Sequence, residues 1–170
     1  MNLHKINCFI KKVYPGHKIN IKYFRDKSKA AYLMTADAFK SPPEININRS
    51  KIKRINRCKL SVGLSNEHYF KGAILHELGH IKKFHCGFTS EQEFEAHLFA
   101  MKIAKKLKMR RVLKGLLHWL WSFGGNRFVN KNMQIYRNIY NQFLQDENFR
   151  REYGRFFKGI KVLHIFMNMD

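Results

Sequence analysis

Carboxylates are scarce in this chain of 170 residues: 12 Asp and Glu stand against 33 Lys and Arg, for a formal charge of +21. A field of that sign attracts polyanions, so non-specific nucleic-acid binding is an expectation of the charge, which otherwise speaks to solubility rather than fold. Cysteine is nearly missing too. Cys8, Cys58 and Cys86 are far apart and never spaced C-x-x-C, which argues against a disulfide framework or a zinc ribbon and suits a reducing compartment. No apolar run approaches the roughly 18 residues of a membrane span. Met1 to Ile6 offer no apolar stretch of the kind a signal peptide needs, so a cytoplasmic protein with no transmembrane segment is expected. Apolar material is plentiful: 45% of residues are hydrophobic and 14% aromatic, too much for a disordered chain and enough for one compact unit.

The few carboxylates are unevenly placed. Residues 1–60 carry 15 basic and 3 acidic side chains and residues 101–170 carry 15 and 4, whereas residues 61–100 carry 3 and 5. A locally acidic middle in so basic a chain suits a bound cation.

The N-terminal part reads as a short helix, the Pro15-Gly16 turn and a strand over Lys18 to Phe24. Strands over Ala31 to Phe39 and Glu44 to Asn48 flank the turn residues Ser41-Pro42-Pro43. From Asn66 to Phe84 the period becomes helical, with Asn66 as a candidate N-cap and Cys86-Gly87 as the stop. Ser90 followed by Glu93 has the form of a capping box, opening a second helix that runs to about Lys108. Met109 to Asp170 reads as helices separated by Gly124-Gly125, Asp146 to Asn148 and Gly154. The run Leu116 to Trp121 is too short to cross a bilayer and is expected to be buried core. The expected fold is therefore α+β. A small antiparallel sheet precedes a long helix, residues 1–108 form the core, and residues 109–170 add a basic, aromatic-rich helical extension packed on it.

The long helix carries His76-Glu77-Leu78-Gly79-His80. Histidines four apart project from one helix face about a turn from each other, close enough to share one Zn2+ ion. Glu77, next to the first histidine, is placed to take a proton from a water that the metal acidifies. Ile74, Leu75, Leu78 and Ile81 give the motif an apolar setting, and Gly79 permits another helix to approach closely.

A hydrolytic zinc site usually takes three protein ligands and leaves one position open. The histidine and glycine that a metzincin needs downstream are replaced by Cys86 and Lys83, and His85, near the helix end, reads as structural. Among Glu91, Glu93 and Glu95, Glu93 is explained by the capping box and Glu91 by the helix dipole. Glu95 has neither explanation and lies beside the Ala96, Ala100 and Ile103 stripe, so it is the expected third ligand; Glu91 and His97 are the alternatives. His118, Tyr136 and Tyr140 are candidates for stabilising an oxyanion, though no spacing ties them to the motif.

Together, Ala73 to His80 and Glu93 to Ala100 resemble the ImmA/IrrE family of gluzincin-type metallopeptidases, with its H-E-L-G-H and downstream E-A-x-x-F-A. The resemblance implies a zincin-like fold with Glu95 as the third zinc ligand. It further implies an intracellular, phage- or mobile-element-associated peptidase whose protein substrate is a repressor or other DNA-bound protein. An SprT-like protease would account for the charge but uses a third histidine. From a different class, a basic nucleic-acid-binding protein with a structural or degenerate zinc site accounts for the basic flanks; Glu77, which a structural site does not need, favours catalysis.

Overall fold

The computed structural model describes residues 2–27, 33–50, 52, 65–124, 138, 141–143 and 145–157. The first helix, α1 (Leu3–Val13), starts where Asn2 accepts a hydrogen bond from the Lys5 amide, and it buries Ile6, Phe9, Ile10 and Val13 along one face. This spacing of three and four residues is that of a helix with one apolar stripe. Three strands follow: β1 (Asn20–Phe24), β2 (Met34–Asp37) and β3 (Glu44–Asn48).

The sheet order is β1-β3-β2, with β2 antiparallel and β1 parallel to β3. The sheet is thus mixed rather than antiparallel as expected. Two reversals give β3 the direction of β1, and β3 rather than β2 takes the middle place. The central position also explains why β3 departs from simple alternation. Ile45 and Ile47 are buried, and so are its polar ends Glu44 and Asn48. Glu44 is held by Lys22 at 2.6 Å and Lys40 at 2.8 Å, while Asn48 exchanges hydrogen bonds with the Asp26 backbone. Buried polar groups persist because these partners replace water.

Helix α2 (Asn66–Lys83) begins one residue earlier than its composition suggested. Ser65 is the cap, and its amide donates to Nδ1 of His68. It ends at Phe84, in the left-handed conformation with φ 53°, before the Cys86-Gly87 pair. Helix α3 (Ser90–Lys106) is capped by Thr89, which accepts from the Gln92 amide, so the capping box expected on Ser90 and Glu93 does not form.

Helix α4 (Arg110–Gly124) lays Val112, Leu113, Leu116 and Leu117 into the same core as α2; of the apolar run, Leu116, Leu117 and His118 are buried and Trp119 is partly buried against the core. Helix α5 (Glu147–Phe157) begins after Asp146, whose carboxylate accepts from the Phe149 amide; Gly154 lies within it and does not interrupt it. The expected break at Gly125 lies outside the described residues. No helix among the described residues is long and apolar enough to cross a membrane.

Candidate metal centre

The pairing of α2 with α3 builds the site. A Cβ placed on Gly79 would lie 2.7 Å from the Ala96 backbone, so the two helices meet backbone to backbone at this point. The contact presses the turn before Ala96, which carries Glu93, against the turn of α2 that carries His76 and His80. Nε2 of His76 lies 3.0 Å from Oε2 of Glu93, Nε2 of His80 lies 3.2 Å from Oε1, and the two Nε2 atoms are 3.1 Å apart. All three residues are buried, and their ligand atoms form the only such metal-ligating group among the described residues.

These atoms fit a metal ion. Ligands about 2.0–2.1 Å from a tetrahedral zinc lie ~3.3 Å from one another, close to the separations seen. Two imidazole Nε2 atoms and a carboxylate that share one buried point need a cation or protons between them. Burial disfavours charge on His76, but the hydrogen bond and charge of Glu93 outweigh it and raise its pKa. Burial likewise opposes ionisation of Glu93, yet the hydrogen bonds of His76 and His80 hold its pKa far below the usual carboxylate range. A cation placed there would draw the same three atoms together.

His76 and His80 therefore meet as the motif predicts, but Glu95, the expected third ligand, does not join them, and the carboxylate that does is Glu93. The carboxylate of Glu95 is about half exposed, 3.0 Å from Nε2 of His85 and 3.7 Å from Nζ of Lys83. The difference arises at the helix start. With Thr89 as the cap, Glu93 is free of capping duty, and it begins the buried stripe Glu93, Ala96, His97, Ala100, Met101 and Ala104. Glu95, two residues on, faces away from that stripe. The periodicity of small and apolar residues points to Glu93 even without coordinates.

Glu77 is buried but points to the sheet rather than to the ligand cluster. Burial raises its pKa, opposed by His76 and His80 and by the Ala36 amide of β2. It opens, with His76, His80 and Glu93, into a cleft of about 540 Å³. The β2 residues Met34 to Asp37 form one wall of that cleft, and Phe39, Phe88 and Trp119 add apolar surface. The Trp119 ring lies 5.3 Å from the ring of His76 and 5.7 Å from that of His97.

The other candidates fall elsewhere. His97 bonds through Nε2 to the Leu116 carbonyl at 3.2 Å, and burial pushes its pKa down to about 3, so it is a neutral strut between α3 and α4. Glu91 is exposed. His118 bonds to the Tyr69 hydroxyl and does not line the cleft. Tyr136 and Tyr140 lie outside the described residues. A larger groove of about 800 Å³ runs over Phe94, Leu98 and Phe99, but His76, His80 and Glu93 do not line it. Comparisons with known protein families, characterised proteins and solved structures find no match to this chain.

Proposed function

We propose that this protein is a zinc-dependent peptidase with His76, His80 and Glu93 as metal ligands and Glu77 as general base. The observation that carries this reading is Glu77, a buried carboxylate beside the ligand cluster but outside it, opening into a cleft walled by the edge of a sheet. A site that only braces the fold needs ligands and no such group.

Two histidines and a glutamate are a hydrolytic donor set for zinc and leave a fourth position open. When bound, zinc supplies Lewis acidity, acidifying a water and polarising a carbonyl oxygen. Glu77 takes the proton from the attacking water and passes it to the leaving amine nitrogen, a task suited by a carboxyl whose pKa burial has raised.

The substrate class is argued from β2. Among the described residues it pairs with β3 alone. Because the Asn48 amide donates to the Leu33 carbonyl, residue 33 is a hydrogen-bonded pair member, and the alternation of an antiparallel ladder turns the backbone groups of Met34 and the Ala36 carbonyl away from β3, while the Ala36 amide faces the Glu77 carboxylate. An extended peptide added there gains main-chain hydrogen bonds and lies across the cleft beside Glu77. The resemblance to the ImmA/IrrE family supports an intracellular substrate such as a repressor or other DNA-bound protein.

The test is cleavage of a random-sequence peptide library by the zinc-loaded protein. Cleavage that is lost in Glu77→Gln while zinc stays bound supports a peptidase. Full zinc occupancy with no cleavage, accompanied by tight salt-sensitive DNA binding, favours a basic binding protein with a structural metal.

A further inference from the structure

The left-handed turn at Phe84 folds the chain back over the end of α2, with the His85 amide donating to the His80 carbonyl at 3.1 Å. The two imidazoles consequently meet. Nδ1 of His85 lies 3.0 Å from Nδ1 of His80, and on its other side Nε2 of His85 lies 3.0 Å from Oε2 of Glu95. The side chain of His85 is almost wholly buried, only 6% exposed, although its residue sits in a loop.

We propose that Glu95 and His85 form a hydrogen-bonded relay that orients His80 for metal binding, so that both are positioning residues of the centre. The proposal rests on the reading of His76, His80 and Glu93 as metal ligands. A neutral imidazole carries one N–H and one lone pair. If Nε2 of His80 gives its lone pair to the metal, its proton is on Nδ1 and donates to His85. Nδ1 of His85 must then be the acceptor, which places the His85 proton on Nε2, facing the carboxylate of Glu95.

One set of tautomers satisfies every contact in the row, with the anion at its outer end. Outer partners of this kind fix the ring orientation of a ligand histidine and raise its basicity. Nδ1 of His76 has no hydrogen-bond partner among the described residues, and its ring is packed by Trp119 and His97 instead. The relay serves one ligand only.

The experiment is zinc affinity, measured by competition with a fluorescent chelator, together with the visible spectrum of the cobalt-substituted protein. His85→Phe keeps the ring shape and removes the acceptor; Glu95→Leu removes the anion. Each is expected to weaken zinc binding by roughly 10–100-fold, the usual cost of losing an outer partner. The cobalt bands should shift in His85→Phe. His85→Asn, which returns an acceptor oxygen near the place of Nδ1, should recover much of the affinity.

Because Glu95 acts through His85, the double variant should bind zinc no more weakly than His85→Phe alone. Affinity in His85→Phe within about threefold of wild type, against the loss expected for an outer partner, overturns the relay. An equal further loss from Glu95→Leu in the His85→Phe background overturns it as well. Melting of the metal-free variants checks that they fold. If the wild type itself binds no zinc, the metal-centre reading fails, and the relay fails with it for that separate reason.

Discussion

Glu77 and Glu93 are buried carboxylates beside the same two histidines, and their surroundings push their acidities in opposite directions. Burial dominates at Glu77 and raises its pKa; at Glu93 the bonds of His76 and His80 overcome burial and lower it. Opposed shifts in neighbouring groups separate an acid-base group from a fixed anion. Glu77→Gln is expected to keep zinc and lose activity by roughly 10²–10⁴-fold, as removal of a general base does, checked by metal analysis and single-turnover cleavage. Glu93→Ala is expected to abolish stoichiometric zinc, whereas Glu95→Ala, separated from the metal by His85 and His80, should still fill at excess zinc. Equilibrium dialysis distinguishes the two.

The helices set how closely these residues approach. Gly79→Ala improves intrinsic helix propensity by about 1 kcal/mol, yet its Cβ would fall 2.7 Å from the Ala96 backbone. Backbone cannot swing aside as a side chain does, so a net destabilisation of about 1–3 kcal/mol is expected from urea unfolding. At Gly72 the nearest atoms belong to the Leu116 side chain at 3.3 Å, and Gly72→Ala should cost less.

The element scale is also where sequence reading succeeded and failed. The helix over residues 66–83, the strand Glu44–Asn48 and the meeting of His76 with His80 were legible, because each depends on spacing within one short segment. Which carboxylate meets the two histidines depended on which of two adjacent residues, Thr89 or Ser90, caps α3, a choice that both residue types satisfy. The parallel pairing of β1 depended on which strand takes the centre of the sheet, and local alternation carries no information on that.

At the scale of the molecule, charge and protonation govern response to solvent. His97 is neutral in the fold with its pKa pushed down to about 3 by burial, and the unfolded chain titrates this histidine near the ordinary 6.5. Between those values the unfolded chain binds the extra proton, so stability rises with pH and is lost on acidification. Urea unfolding at pH 7 and pH 5 should show a smaller acid-induced loss in His97→Phe than in wild type. The charge of +21 predicts retention on duplex DNA at low salt that falls steeply as salt rises, whatever the state of Glu77. Electrophoretic mobility shifts over a salt series check this.

The arrangement of the metal centre is tested most directly by anomalous diffraction at the zinc edge, on crystals grown with equimolar zinc. A single peak about 2.0–2.2 Å from Nε2 of His76, Nε2 of His80 and the carboxylate of Glu93 is expected. A peak on His85 and Glu95, or no peak at the His76 and His80 pair, would contradict it.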